Sequence, residues 1–502
     1  MPNVNVSGSS VAWADFNNDG FTDLHAGSLY QNNGGNGFTQ VNSFGTGSWG
    51  DYDNDGWLDY ALKDAGMVYK NVNGNSFTGI EFGENFPNGP KEASTFFDLG
   101  GDGDLDVYIA GYENEAQGFA PVADVIYEYD SDTGTFLYNA SPGGRNGRGL
   151  AVLDYNEDLL DDVYVTNYRL QANNLWENSG SSSFSTFSDV ASSMGATGGH
   201  GHGGGSSVGD YNNDGHIDIF AQNFAHPGQP ESRFLINKGP AGNYAFEDWG
   251  TNGVAFVESY LNSATGDVDN DGDLDVWLSA VYGESARLYV SNLGLSTGSF
   301  SVSEATGAYG LSGVGVTTQG AFGDMDNDGD LDFVTNNGTV YVNDTSQTTS
   351  NNWLRVKLVG NGINVNAMAF GTVVRANLGN GVILSRHVEG ASGRGSNQNE
   401  QTLHFGLGSH SGPVPLEITW RDGTVRNVTV DPNQTITIPY SDLPGFAEIP
   451  IGETGHIATL SNIPQTILLS KTYSDPVVFA QSATTNGQQP VVVRVTNVMA
   501  DQ

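Results

Sequence analysis

The sequence predicts an all-β chain: a seven-bladed β-propeller carrying calcium loops, then a β-sandwich domain, then a partial C-terminal β domain. Three observations carry that prediction. An acidic nine-residue loop recurs seven times, each copy lies between two short apolar strands, and two more short strands follow before the next copy. Four short strands per unit, repeated seven times, is the pattern of a propeller.

The loop is clearest in Asp324-Met-Asp326-Asn-Asp328-Gly-Asp330-Leu-Asp332. Side-chain oxygens at positions 1, 3, 5 and 9, a main-chain carbonyl at 7 and a glycine at 6 make a wrapped cage for a hard cation, which points to calcium. An EF-hand loop begins in the same way but needs a Glu at position 12 and a helix on either side. Here Asp at position 9 closes the loop, and residues 320–323 and 333–335 on its flanks read as strand. The expected ligands are Asp15, Asn17, Asp19, Phe21 and Asp23; Asp51, Asp53, Asp55, Trp57 and Asp59; Asp98, Asp102, Asp104 and Asp106; Asp154, Asn156, Asp158, Leu160 and Asp162; Asp210, Asn212, Asp214, His216 and Asp218; Asp267, Asp269, Asp271, Asp273 and Asp275; and Asp324, Asp326, Asp328, Asp330 and Asp332. Position 7 contributes its carbonyl. Loop 3 has Gly100 at position 3 and loop 4 has Leu159 at position 6, so weak or water-completed sites are expected there, and the calcium count lies between five and seven ions.

The first carboxylates are spaced 36, 47, 56, 56, 57 and 57 residues apart. Within a unit the second strand starts at the last loop Asp (Asp106-Val-Tyr-Ile, Asp275-Val-Trp-Leu). The third strand ends in Asn (Leu29-Tyr-Gln-Asn32, Leu175-Trp-Glu-Asn178), and the fourth is built on Phe (Phe38, Phe300). On these motifs residues 1–345 resemble the FG-GAP/VCBS repeats of integrin α-chain propellers and of secreted bacterial and fungal seven-bladed propellers. After Val340-Tyr-Val-Asn343 the chain runs into the linker 344–351, so blade 7 lacks its outer strand. The segment Asn3-Val-Asn-Val6 is expected to close the ring there, because an open ring leaves exposed edges.

Residues 352–440 change character, with longer strands and more Arg and Val. Asn352-Trp-Leu-Arg-Val-Lys-Leu358, Gly371-Thr-Val-Val-Arg375, the glycine-serine-asparagine stretch 390–399, His404-Phe-Gly-Leu-Gly408 and Ile418-Thr-Trp420 are similar to the UnbV/ASPIC domain that follows such repeats in cartilage acidic proteins. Arg421-Asp422-Gly423 departs from the Pro-Ser-Gly usual in that family. The resemblance implies a β-sandwich and little chemistry, and His404 reads as a strand histidine at the domain surface. Residues 441–450 read as a Pro/Gly linker. The segment 449–502 resembles half of an H-type lectin sandwich, so either the chain is a fragment or another chain, including a second copy, supplies the missing strands.

Composition narrows the function. The formal net charge is −40, but 29 of the 58 acidic residues fall inside the seven loops. Seven bound divalent ions would bring the charge to about −26. The acidity is therefore largely metal chemistry, and the remainder repels nucleic acid. No stretch approaches 18 uninterrupted apolar residues, so no membrane span is expected. The chain has no cysteine, which excludes disulfides and thiol chemistry. Calcium loops of the extracellular kind bind at roughly 10⁻⁴ to 10⁻³ M and fill outside a cell, so a secreted or cell-surface location is expected. Met1-Pro-Asn-Val4 shows no charged region followed by an apolar one, which is expected of a processed or trimmed chain.

The loops joining strands 1–2 place calcium on one propeller face; the loops joining strands 4–1 and 2–3 emerge on the other. That opposite face is expected to carry Arg145, Arg148, His200, His202 and Tyr260 from its 4–1 loops, and Tyr112, Tyr168, Arg169, His226 and Tyr282 from its 2–3 loops. Tyr rings stack on sugars and Arg holds carboxylates or sulfates, so a glycan or a cell-surface or matrix ligand is the expected partner. His200, His202 and His226 offer a general base or zinc ligands, which leaves a polysaccharide lyase or sugar dehydratase as the alternative to a non-catalytic adhesion protein. A structural subunit of an extracellular assembly is the third reading. Flanking glycines predict a mobile histidine loop at 199–205.

Overall fold

The computed structural model describes residues 10–440, apart from 84 and 143. Seven small antiparallel sheets follow one another along the chain. Their inner strands are Ala12–Ala14, Gly47–Gly50, Lys91–Phe97, Gly147–Leu153, His202–Gly209, Tyr260–Gly266 and Gly320–Gly323. Each inner strand neighbours the next, and the first neighbours the last, so the sheets form a closed ring of seven blades. Trp13 of blade 1 donates its indole N–H to Ala321 O of blade 7 at 3.1 Å, and the two blades share one core cluster. Blade 7 has three strands among the described residues, and the segment expected to complete it, Asn3–Val6, lies outside them. So does the C-terminal segment 449–502.

The Asn at the end of strand 3 has a physical reason. Asn32, Asn71, Asn178, Asn237 and Asn343 each donate both side-chain N–H groups. One goes to the carbonyl at loop position 8 of the same blade, the other to the position-2 carbonyl of the preceding blade. Asn32 thereby clamps blade 1 to Met325 O of blade 7, at 2.7 Å across the ring closure. In blade 3 Tyr129 stands instead and packs edge-on against Tyr52 of blade 2, with ring centroids 4.6 Å apart. Replacing Asn32 with Ala strands two buried carbonyls and is expected to cost about 2–3 kcal/mol in urea unfolding. The exposed Asn292→Ala serves as control and should stay within about 0.5 kcal/mol.

Residues 352–439 form two sheets. One orders Leu403–Gly408, Asn352–Val359 and Thr435–Pro439; the other orders Val382–His387, Val373–Gly379, Val414–Thr419 and Val425–Val430. This second fold packs on the face that carries the acidic loops, and both belong to one compact unit ending at Pro439. The linker between them contains one helical turn, Thr345–Thr348.

The glycine-serine-asparagine stretch does something the sequence did not announce. It leaves the second fold as a hairpin, closed by Ser392 N–H to Asn397 O at 2.7 Å, and fills the axis of the propeller. Gly393 pairs with Leu150, and Gln398 pairs with Val11 and Trp13. The Gln398 side chain bonds both main-chain groups of Trp49. Ser396 Oγ accepts from Ser94 N–H, Asn397 reaches Gly320 O, and Asn399 reaches Thr265 O and Phe322 N–H. At the tip, Arg394 pairs with Glu92 at 2.8 Å, near the far end of the channel.

Blade 5 explains a second feature. Its inner strand reads Gly203-Gly-Gly205, and a Cβ at Gly205 would lie 1.6 Å from Asn262 Oδ1 and 2.9 Å from Arg394 N. A Cβ at Gly204 would lie 1.9 Å from Gln222 Oε1. The glycines are there because the axis is crowded. The expectation of a mobile loop at 199–205 is corrected: residues 202–209 are a fully buried strand.

Candidate functional site

Each acidic loop is wound by the same hydrogen bonds. The position-1 carboxylate accepts the N–H of positions 5 and 6, as Asp324 does from Asp328 at 3.2 Å and Gly329 at 2.8 Å. The position-5 carboxylate accepts the N–H of position 7, as in Asp330 to Asp328 at 3.0 Å. The position-9 carboxylate accepts the N–H of position 2 and that of the residue ending strand 3, as Asp332 does from Met325 and Asn343, both at 2.8 Å. Two residues per loop turn left-handed. Position 6 has φ between 71° and 103°, and position 4 between 55° and 70°. Asn at position 4 is therefore a conformational choice, and its amide also reaches the next loop, as Asn327 does to Gly20 O at 3.0 Å.

This winding turns oxygens inward. Carboxylate oxygens of Asp51, Asp53 and Asp59, of Asp267, Asp269 and Asp271, and of Asp324, Asp326 and Asp332 lie within 4.8 Å of one another in each group. In the same three loops the position-3 Oδ1 atoms, on Asp53, Asp269 and Asp326, are buried and accept no hydrogen bond. Orphaned anionic oxygens around a shared point fit a divalent cation. Burial, reinforced by neighbouring carboxylates, pushes Asp51 up to about 8. Burial likewise raises Asp23 to about 8, Asp210 to about 7 and Asp332 to about 9.

Those shifts set a pH dependence for the calcium-free chain. Carboxyls raised above their ordinary 3.8 stabilise the fold fully below about pH 4, and that contribution is lost as pH rises through 7 to 9. The calcium-free protein is expected to melt higher at pH 5 than at pH 8.5. Saturating calcium should remove that slope, because the ion replaces the protons.

Arg421, where the chain departs from Pro-Ser-Gly, reaches loop 4, 2.8 Å from Asp161 and 3.8 Å from Asp154, and Asp161 accepts the N–H of Asp98 in loop 3 at 2.9 Å. Asp98 and Asp154 are raised by burial to only about 6, with Arg421 opposing. Other cations of the second fold meet the loops as well: Lys357 lies 3.2 Å from Asp15 of loop 1, Arg355 3.0 Å from Asp324 of loop 7, and Arg375 2.6 Å from Glu157 of loop 4. Within the propeller, Lys70 bridges Asp53 and Asp55. His404, expected at a domain surface, is instead buried at the interface. Its Nε2 lies 3.1 Å from Gly329 O, and burial lowers its pKa to about 3, so it is neutral and donates.

On the opposite face the expected residues divide. Arg148 lies over the Tyr168 ring at 4.0 Å and the Tyr112 ring at 4.9 Å, and donates from Nη2 to Tyr112 OH at 3.0 Å. Tyr168 packs on His202 with ring centroids 4.6 Å apart, and His202 meets His226 edge-on at 5.8 Å. His226 bonds Glu258 at 2.6 Å. Phe224, which the sequence reading missed, joins His226 to Tyr282, the most exposed of the exposed large apolar side chains at 86%. Arg145 is tied to Asp189, and Arg169 is forked onto Glu113 at 2.8 and 3.0 Å.

Two expectations are corrected. Tyr260 is not on the face: it is buried, with its hydroxyl 2.6 Å from Tyr289 OH, because its side chain points into the sheet core. His200 is exposed at φ 59° and makes no ring contact with His202 or His226 among the described residues, so the three do not converge.

Comparison with known proteins agrees with this architecture. Residues 154–221 and 267–335 match the FG-GAP-like repeat family, and residues 362–444 match the ASPIC and UnbV family. Cartilage acidic protein 1 of Xenopus tropicalis is 30% identical over 312 residues, covering 59% of this chain and 45% of that protein. Its Homo sapiens counterpart is 28% identical over 358 residues, covering 66% and 50%. The chain thus spans about half the length of the curated relatives it matches. A structure of an Agrocybe aegerita lectin, described as recognising non-reducing terminal N-acetylglucosamine, overlaps with a TM-score of 0.39 at 16% identity, covering 58% of this chain and 79% of that one. The Vibrio cholerae biofilm matrix protein Bap1 overlaps with a TM-score of 0.30 at 14% identity, covering 86% and 73%.

Proposed function

We infer, from FG-GAP-like repeats followed by an ASPIC and UnbV segment, that this is a non-catalytic extracellular protein. Calcium stiffens its propeller, and the face away from the calcium loops binds carbohydrate. The carrying observation is which face is free. Among the described residues the second fold covers the acidic loops and its hairpin fills the axis, which leaves the opposite face open to a large partner. Phe119, Leu170, Phe256, Tyr282 and Val316 are exposed in loops of that face, beside the Tyr112, Tyr168, His202 and Phe224 cluster. Exposed rings with interleaved polar groups are what sugar stacking needs.

An extracellular location accords with loops that fill only at millimolar calcium. The test is a glycan array probed with folded protein in calcium. Binding should reach at least one carbohydrate class and fade with Tyr168→Ala and Tyr282→Ala. A blank array from protein with an intact melting transition would refute the reading. The lyase alternative keeps one specific support: burial, reinforced by His226 and Arg148, lowers the pKa of His202 and leaves a neutral imidazole on the face. Ultraviolet absorbance from an unsaturated uronate product would move the assignment there.

A further inference from the structure

We propose that Arg148 and His202 form a site for an anionic sugar unit, one carrying a single carboxylate or sulfate, on the open propeller face; this rests on the carbohydrate reading above. The observation is one of partners. Arg145, Arg169, Arg233 and Arg394 on or near this face each pair with a carboxylate: Asp189, Glu113, Asp248 and Glu92. Arg148 has none among the described residues. Its guanidinium lies against two tyrosine rings, donates once to Tyr112 OH, and has no carboxylate partner among the described residues for its remaining guanidinium N–H groups. A planar cation fixed against aromatic rings with unused donors is preorganised for a two-oxygen anion.

A second unsatisfied group stands beside it. His202 is 9% exposed, and its buried Nδ1 has no hydrogen-bond partner. It packs on the Tyr168 ring that Arg148 also covers. Burial first, then the nearby His226 and Arg148, lower its pKa, which favours the neutral ring that can donate to or accept from a sugar hydroxyl. Beyond it, the exposed ring of Tyr282, packed on the buried Phe224, offers a surface onto which a neighbouring sugar ring can stack. An acidic peptide would use the arginine but leave this open aromatic run without planar partners, so a glycan fits better.

The rest of the molecule limits the ligand's charge density. The protein's formal charge is −40, and about −26 with seven ions bound. At physiological salt that field is screened over about 8 Å, which lets one nearby guanidinium dominate a single anionic group. A densely sulfated chain would instead run into repulsion over its whole length.

The experiment is calorimetric titration of the full chain in calcium. The probes are short oligogalacturonates, their methyl esters, sulfated and sialylated oligosaccharides, a neutral chito-oligosaccharide, a heparin fragment and an oligoglutamate peptide. The expected order places isolated-anion glycans first, with the methyl ester and the heparin fragment weaker. Arg148→Gln should weaken the acidic glycan about 10- to 100-fold while leaving the methyl ester unchanged, and Arg148→Lys should fall between. Arg169→Gln removes the same charge from an already paired arginine and should change affinity less than about threefold. Melting temperature and calcium response confirm that each variant is folded. Whichever of the uronate, sulfate and sialate arms binds names the anion. Equal weakening by Arg148→Gln and Arg169→Gln would reduce the effect to bulk charge and overturn the site. So would equal affinity for the uronate and its ester with no sulfate or sialate preference, although carbohydrate binding itself would stand. Tightest binding to the oligoglutamate would overturn the glycan assignment, and binding to no glycan would overturn both readings.

Discussion

Removing calcium is expected to lower the melting temperature by about 10 °C. At roughly 2 mM calcium, a loop with a Kd of about 10⁻⁴ M gains roughly 2 kcal/mol of folded-state stability, so five regular loops in one cooperative unit give roughly 9 kcal/mol. A unit of this size has an unfolding entropy near ~0.9 kcal/mol/K, which converts that loss to about 10 °C. The structural cause is local. Apart from Asp15 the first and last carboxylates of the loops are buried, and in three loops the position-3 oxygen of Asp53, Asp269 or Asp326 has no hydrogen-bond partner among the described residues. Differential scanning in calcium and in chelator at pH 7.5 measures the effect. An unchanged midpoint would mean that the loops are closed by their own hydrogen bonds and need no ion.

Arg355→Ala is expected to cost about 3–5 kcal/mol, the range for removing one partner of a buried ion pair. Arg355 is 2% exposed in its side chain and lies 2.6 Å from Glu400 and 3.0 Å from Asp324, both buried. It also donates to Asn327 Oδ1 at 2.8 Å, so one guanidinium joins the second fold to loop 7. Calcium can compensate the orphaned Asp324, a loop ligand, but not Glu400. The loss should therefore persist at saturating calcium, and Arg355→Met with Glu400→Gln should recover more than half of it. Chemical unfolding of the two variants decides; a neutral Arg355→Ala would show that the interface rests on its apolar packing and main-chain bonds alone.

The parts legible in the sequence are those whose signal is local. Positions 1, 3, 5 and 9 of a loop are read within nine residues, and the order of strands around it within about fifty. The Asn ending strand 3 was visible as a pattern, although its clamp on the preceding blade was not, because the acceptor is a main-chain carbonyl with no sequence signature. The axial hairpin was hidden for the same reason on a larger scale. Gln398 meets Trp49 across 349 positions, using backbone and small polar groups that read only as part of the second domain. Gly203–Gly205 look like freedom and are in fact clearance, since a glycine required by a crowding neighbour is indistinguishable in one sequence from a glycine that gives slack. Tyr260 was misplaced because a residue at the first position of an inner strand can point along the loop or into the sheet, and alternation alone does not say which.

The filled axis bears on how this architecture is inherited. Trp13, Trp49, Ser94, Leu150 and Phe322 present main-chain N–H groups to the centre of the ring, and their acceptors all come from residues 393–399, downstream of the seventh blade. On the ribosome the wheel is made before its axle, and until the later segment emerges water has to occupy the hub. A recombination event that joined this wheel to some other downstream module would leave the hub wet for good, with the glycine-lined wall of blade 5 facing a void. Repeats and hairpin are therefore expected to be inherited together, and a change on either side of the hub to be matched by a change on the other.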